Sequence, residues 1–277
     1  MKIIVPVAVA LLALSLFTPT GVAADTNAAA TDLKALVTKV NAKLQGGKKT
    51  EADLAPELKE FDALLAKYKG EKTDDVAQIQ LMEAMLYLQV FNNTDKGVEM
   101  IKQLKTDYPG TKPAQNADRI LDSVKQQAAA KKIQSGLAEG AKFPDFSEKD
   151  SAGKPLSIAN YKGKVVLLDF WATWCGPCVH ELPNVIKTYD THHKQGFEII
   201  GISLDKDQEK LASFTKEKNM TWVQYFDGLV WQNKLAVKYG VNSIPATYLL
   251  DGQGTIIGKD LRGEDLENAV TKALAKK

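Results

Sequence analysis

The stretch LLDFWATWCGPCVHELP, residues 167–183, constrains the fold of this chain more than any other. An apolar, β-branched and aromatic run, KVVLLDF at 164–170, passes directly into a helical pattern. The turn between them carries Cys175 and Cys178, the only two cysteines among 277 residues. A strand feeding a helix through so short a turn belongs to a layered α/β fold. Pro177 falls in the first turn of that helix, where its missing N–H is no loss. Cys175 is thereby set at free backbone N–H groups and the positive end of the helix dipole, which favours thiolate over thiol.

A Cys-x-x-Cys pair serves as a redox couple, half of a metal site, or a crosslink. Tetrahedral zinc needs two further ligands, and the three histidines, His180, His192 and His193, lack the spacing to supply them. A crosslink closing so small a loop constrains little of the unfolded chain. A redox couple fits best, with the disulfide itself as the redox group and no bound cofactor. Lowering a thiol pKa from ~8.5 to ~7 takes about 2 kcal/mol, near the most a helix terminus provides. The thiolate fraction at pH 7 then rises roughly 16-fold, and reduced nucleophilicity takes back a factor of ~5. The helix end alone is a modest accelerator. An exposed Cys175, with Cys178 held ready beneath it to resolve a mixed disulfide, is expected to matter more.

FWATWCGPC resembles the active site of the thioredoxin superfamily, and YKGKVVLLDFWATWCGPCVHELP is similar to its exported TlpA/ResA-type branch. EGAKFPDFSEKDSAGKPLSIANYKGK, at 139–164, resembles the N-terminal hairpin of that branch, and KYGVNSIPATYLLDGQGTII, at 238–257, the segment holding a cis-proline. The resemblance covers about 140–277. It implies an α/β thioredoxin-like fold, a central mixed sheet with flanking helices and an inserted helix-strand at 205–227. It also implies roles: Cys175 attacks and a buried Cys178 resolves. Pro245 faces the disulfide and leaves the backbone beside Ile244 free for an extended client. Trp174 and Ile244 give that client apolar contact beside Gly176 and Pro177. Asp169, an acid in an apolar strand, accepts a proton from Cys178, with burial raising its pKa. An acid near the strand end that reaches solvent is the other account of Asp169, and Gly201 stands near the place of thioredoxin's neighbouring lysine. His180 and Glu181 are expected on a solvated helix face, with tuning of the cysteines the other account, and Trp171 in structural support.

The rest of the chain has a different texture. Met1 and Lys2, an apolar core at 3–17 and a small-residue exit read as a signal peptide over 1–24. The core falls short of the ~20 residues that span a bilayer, so a periplasmic or otherwise extracytoplasmic location is expected. Residues 25–134 carry apolar positions at three- and four-residue steps in five segments, an all-α helical-hairpin domain. Phe61, Leu64, Tyr68, Gly70, Ala77 and Leu81 recur forty residues on as Ile101, Leu104, Tyr108, Gly110, Ala117 and Leu121. The second copy resembles a tetratricopeptide hairpin, although the usual period is nearer 34, and a plain helical bundle is an equal alternative. Residues 135–142 read as a linker and 143–277 as the thioredoxin-like domain. Strands alternating with helices there predict parallel pairing.

A formal charge of +2 gives no polyanion footprint, so no nucleic-acid partner is expected. The expected activity is reduction of client protein disulfides through a Cys175/Cys178 cycle, with a membrane-bound thiol electron donor and a protein partner for the helical domain. A peroxiredoxin-like thiol peroxidase, and a partner-binding module with an accessory redox centre, are the alternatives.

Overall fold

The computed structural model describes residues 28–276. The signal-peptide expectation at 1–24 lies outside them. Contacts divide the chain into two compact units, Met1–Asp118 and Arg119–Lys277, and the division falls within a helix.

The first unit is helical: α1 (Ala28–Gln45), α2 (Ala55–Lys67), α3 (Asp74–Gln89), α4 (Thr94–Asp107) and the start of α5 (Lys112–Ser135). Local chemistry marks the ends. Thr73 caps α3 by accepting from Val76 N, with Asp74 and Asp75 in the first turn against the helix dipole. Asn93 caps α4 in the same way. The forty-residue echo is structural. Phe61 and Ile101 are both fully buried, as are Ala77 and Ala117. Gly70 and Gly110 both follow a helix end with positive φ, 94° and 87°, which only glycine adopts freely. Leu36, Leu54, Phe61, Ile79 and Leu104 form the centre of this unit's core.

The second unit begins within α5. Residues 135–142, expected as a linker, are tied into it: Leu137 is buried in the core, and Gly140 and Ala141 exchange hydrogen bonds with Ile256. A two-stranded antiparallel hairpin follows, β1 (Glu148–Lys149) with β2 (Pro155–Leu156). The main sheet has the order β5-β4-β3-β6-β7. It comprises β3 (Val165–Trp171), β4 (Phe197–Ser203), β5 (Val223–Phe226), β6 (Ala246–Leu250) and β7 (Ile256–Lys259), with helices α6 (Gly176–His192), α7 (Gln208–Glu217), α8 (Lys234–Lys238) and α9 (Gly263–Leu274). The inserted α7 and β5 occupy the stretch 205–227, as the resemblance implied.

Strand direction corrects the expectation drawn from alternation alone. β3, β4 and β5 run parallel, whereas β6 pairs antiparallel with β3 and with β7. The connection from β6 to β7 is a tight turn in which Gly254 N donates to Asp251 O. No crossover fits in so short a link, so the pair must be antiparallel. Every residue of β3 is buried, as expected for a central strand covered on both faces.

Candidate active site

β3 delivers the redox pair. The strand ends at Trp171, and Leu204 N bonds back to Trp171 O, holding the start of the following turn against β4. Asp205, buried behind that turn, accepts from Thr173 N at 3.0 Å, Thr173 Oγ1 at 2.6 Å and Ser203 Oγ at 2.9 Å. Three bonds to one buried carboxylate over-determine the turn, so Trp174 and Cys175 start from a rigid base. Cys175 caps α6, with its sulfur accepting from Cys178 N at 3.2 Å. Gly176 and Pro177 fill the first turn, and Cys175 and Cys178 form a disulfide.

The expected contrast between an exposed and a buried sulfur is absent in this disulfide form. Cys175 is 5% exposed and Cys178 4%. One side of the Cys175 sulfur is taken by its bond to Cys178 and another by the capped N–H, so little of it faces water. Exposure at the site belongs instead to Trp174 at 47%. Its ring meets Trp231 edge-on at 5.9 Å, and Leu229 and Trp231 extend the apolar surface. Asp227 holds the segment bearing Trp231 by accepting from Leu229 N, Lys234 N and Asn233 Nδ2. Val230 within it has φ 51°, a costly conformation for a β-branched residue.

Across from the disulfide, the Ile244–Pro245 peptide is cis and both residues are half-buried. Arg262 clasps this segment. Its Nη2 donates to Pro245 O at 2.9 Å, and its Nη1 to Thr247 Oγ1 at 3.0 Å. The neighbouring Gly263 N donates to Glu181 Oε1 at 2.6 Å. Glu181 is therefore not on a solvated helix face as expected. It ties α6 to the start of α9 and borders the site.

Asp169 lies in the middle of this arrangement, 5% exposed on β3. At that exposure its side chain does not reach open solvent. Burial pushes its pKa up to about 7, the Arg262 guanidinium pulls it down, and the Glu181 carboxylate pushes it up. A cavity of about 10 Å³ is bordered by Asp169, Cys178, Glu181, Pro245, Thr247 and Arg262. That volume is at the lower limit for a single water. Val185, Leu261 and Leu266 close the rest of this small space, which Asp169 and Cys178 share, and one water between them would suffice for proton transfer.

Gly201 pairs with Asp169 in register, and Gln224 pairs with Gly201. No lysine occupies this place. The Gln224 side chain folds over the glycine, and its Oε1 accepts from Trp171 Nε1 at 3.0 Å. Trp171 is 1% exposed and serves the support role expected for it. His180 is exposed on α6. Among the described residues, no group of three His, Cys, Asp or Glu side chains is placed to hold a metal ion.

Sequence reasoning missed Arg262, Trp231, Asp205 and Gln224. Arg262 had a faint signal as one of only two arginines in a lysine-rich chain. Trp231 had another, as a tryptophan closing the short apolar run Leu229–Val230–Trp231. Asp205 and Gln224 had none, since their partners lie across the sheet.

Residues 140–259 match the AhpC/TSA family. The thiol-disulfide oxidoreductase ResA of Geobacillus thermodenitrificans is 32% identical over 120 residues, 43% of this chain and 67% of that protein. The ResA of Bacillus thuringiensis subsp. konkukian is 30% identical over 137 residues, 50% of this chain and 77% of that one. The thioredoxin-like protein YneN of Bacillus subtilis is 35% identical over 124 residues, 44% and 70% of the two chains. With this likeness falling on the half that carries the disulfide, residues 140–259 form a thioredoxin-like AhpC/TSA domain, and the chain belongs among the ResA-type thiol-disulfide oxidoreductases.

Proposed function

We propose that the chain reduces disulfides in client proteins outside the cytoplasm. One observation carries this: Cys178 shares a water-sized cavity with Asp169, whose pKa is raised to about 7. A carboxyl poised there suits a general base near neutral pH. In the reduced protein, the Cys175 thiolate attacks one sulfur of the client disulfide and expels the other as thiolate, leaving a mixed disulfide. Asp169 takes the Cys178 proton. The Cys178 thiolate then attacks the Cys175 sulfur, and the second client sulfur leaves and is protonated. The client gains two electrons and two protons, one proton returned from Asp169 and one taken from water, and Cys175–Cys178 is the oxidised product.

Trp174 and the backbone at Ile244 are proposed to seat the client, with Gly176 and Pro177 giving it close approach. Another dithiol must return the electrons, and we assign that part to a membrane-bound thiol donor. The Gly-Pro dipeptide favours the reducing direction, as in thioredoxin at about −270 mV against about −120 mV for the oxidant DsbA. The apolar N-terminal run at 3–17 supports an extracytoplasmic location.

Replacing Cys178 with Ala removes the resolving thiol. Clients should then accumulate on Cys175 as mixed disulfides that dithiothreitol releases. Absence of such adducts, or a potential near that of DsbA, would overturn the proposal. Rapid sulfenic acid formation at Cys175 with hydrogen peroxide would favour a peroxidase.

A further inference from the structure

The helical unit contains a groove of about 410 Å³ between α2, α3 and α4. Its apolar walls include Leu58, Leu65 and Met100, and Glu83 lines it. Glu83 is only 6% exposed, and no donor among the described residues hydrogen-bonds its carboxyl. Its neighbour Gln80 is used, donating to Met100 O at 3.2 Å. Among the described residues, Lys96 is the one cation lining the groove, and it donates to Tyr87 Oη at 2.7 Å rather than to Glu83. Asp62 on α2 and Asp107 on α4 add negative charge, and Tyr108 completes the α4 side. A buried carboxyl without donors is costly unless something compensates it.

We propose that this groove receives an arginine side chain from a partner protein segment, with Glu83 as its carboxylate acceptor. The apolar walls suit the aliphatic stem of such a side chain. A planar guanidinium can bond both oxygens of one carboxylate, and it carries donors to spare for Asp62. The site is separate from the redox centre and stands whether or not the chain reduces disulfides.

Burial pushes the Glu83 pKa up to about 7, Asp62 pushes it the same way, and Lys96 holds it down. An arginine requires the ionised carboxylate, so binding releases a proton and strengthens as pH rises. From pH 6 to pH 8 the ionised fraction, and with it the affinity, grows about tenfold. Asp62, Asp107, Tyr87, Tyr108 and Lys96 face the same space, so their shared background has to be separated from Glu83.

The test titrates the peptide acetyl-Leu-Ala-Arg-Ala-Leu-amide into the ¹⁵N-labelled full chain and follows amide shifts at pH 6 and pH 8. A second peptide carries citrulline, a neutral isostere, in place of arginine. Saturable shifts at Gln80, Glu83, Tyr87 and Lys96 are expected, with arginine preferred about tenfold or more at pH 8 and less at pH 6. Glu83→Gln should erase both the preference and its pH dependence. Equal binding of the two peptides, no saturable shift in the millimolar range, or a preference that survives Glu83→Gln would each overturn the proposal. If the variant fails to fold, the citrulline and pH comparisons on the parent chain decide the matter.

Discussion

Replacing Asp169 with Asn keeps the shape of the side chain and removes its charge. Burial carries this carboxyl from an ordinary 3.8 to about 7 in the folded protein. The native state therefore holds a proton that the unfolded chain releases, and stability falls as pH rises between those two values. Below 3.8 the acid is neutral in both states and costs nothing. Above 7 the ionised form is buried, at a cost of about 4 kcal/mol. Asn escapes that cost, although its amide needs partners of its own, which lowers the gain. The stability gap between variant and parent should widen by about 2–3 kcal/mol from pH 5 to pH 8. Urea unfolding of the disulfide form at several pH values measures it, since a gap of that size moves the midpoint by roughly a molar. Other titrating groups are common to both chains and cancel. The same variant should slow release of a client from Cys175 by about 100-fold or more, the usual loss when a general base is removed. A gap that stays constant or narrows with pH would refute the burial argument, and unchanged release would refute the base.

Three other outcomes follow from the geometry. Thr73→Ala removes the acceptor for Val76 N at the start of α3 and should cost about 1 kcal/mol in urea unfolding. Gly201→Ala places a Cβ 2.1 Å from Gln224 Oε1, which must swing away and leave the Trp171 indole unpaired. A loss of about 1–3 kcal/mol is expected, and because Gln224→Ala removes the same acceptor, the two substitutions together should cost little more than either alone. Trp231→Ala removes the ring packed on Trp174 and should slow attack on a protein disulfide several-fold while sparing a small aromatic disulfide, as stopped-flow kinetics with both substrates would reveal.

Much of the site could be read locally because its determinants are adjacent in the chain. An apolar strand, a cysteine pair and a proline in the first helical turn specify one another over fifteen or so residues. Helices α1 to α5 were equally legible, since three- and four-residue apolar steps and Gly70 and Gly110 are local signals. Strand direction was not legible from alternation. It turned on the shortness of one connection, which separates a hairpin from a crossover. Glu181 was misplaced because helical position alone puts it toward water, whereas Gly263, some eighty residues on, brings it an N–H donor.

Sequence by itself determined the strand, turn and helix that present Cys175 and Cys178, and the resemblance that accompanies them. Only tertiary structure decided the chemistry around those sulfurs. It buried Asp169 beside Cys178 and brought Arg262 and Glu181 close enough to act on the carboxyl. It also laid Gln224 over Gly201 and brought Trp231 to Trp174. The physical reason is range. Periodicity and capping act over one or two turns, whereas a pKa depends on whatever charges and low-dielectric walls the fold brings within a few ångströms.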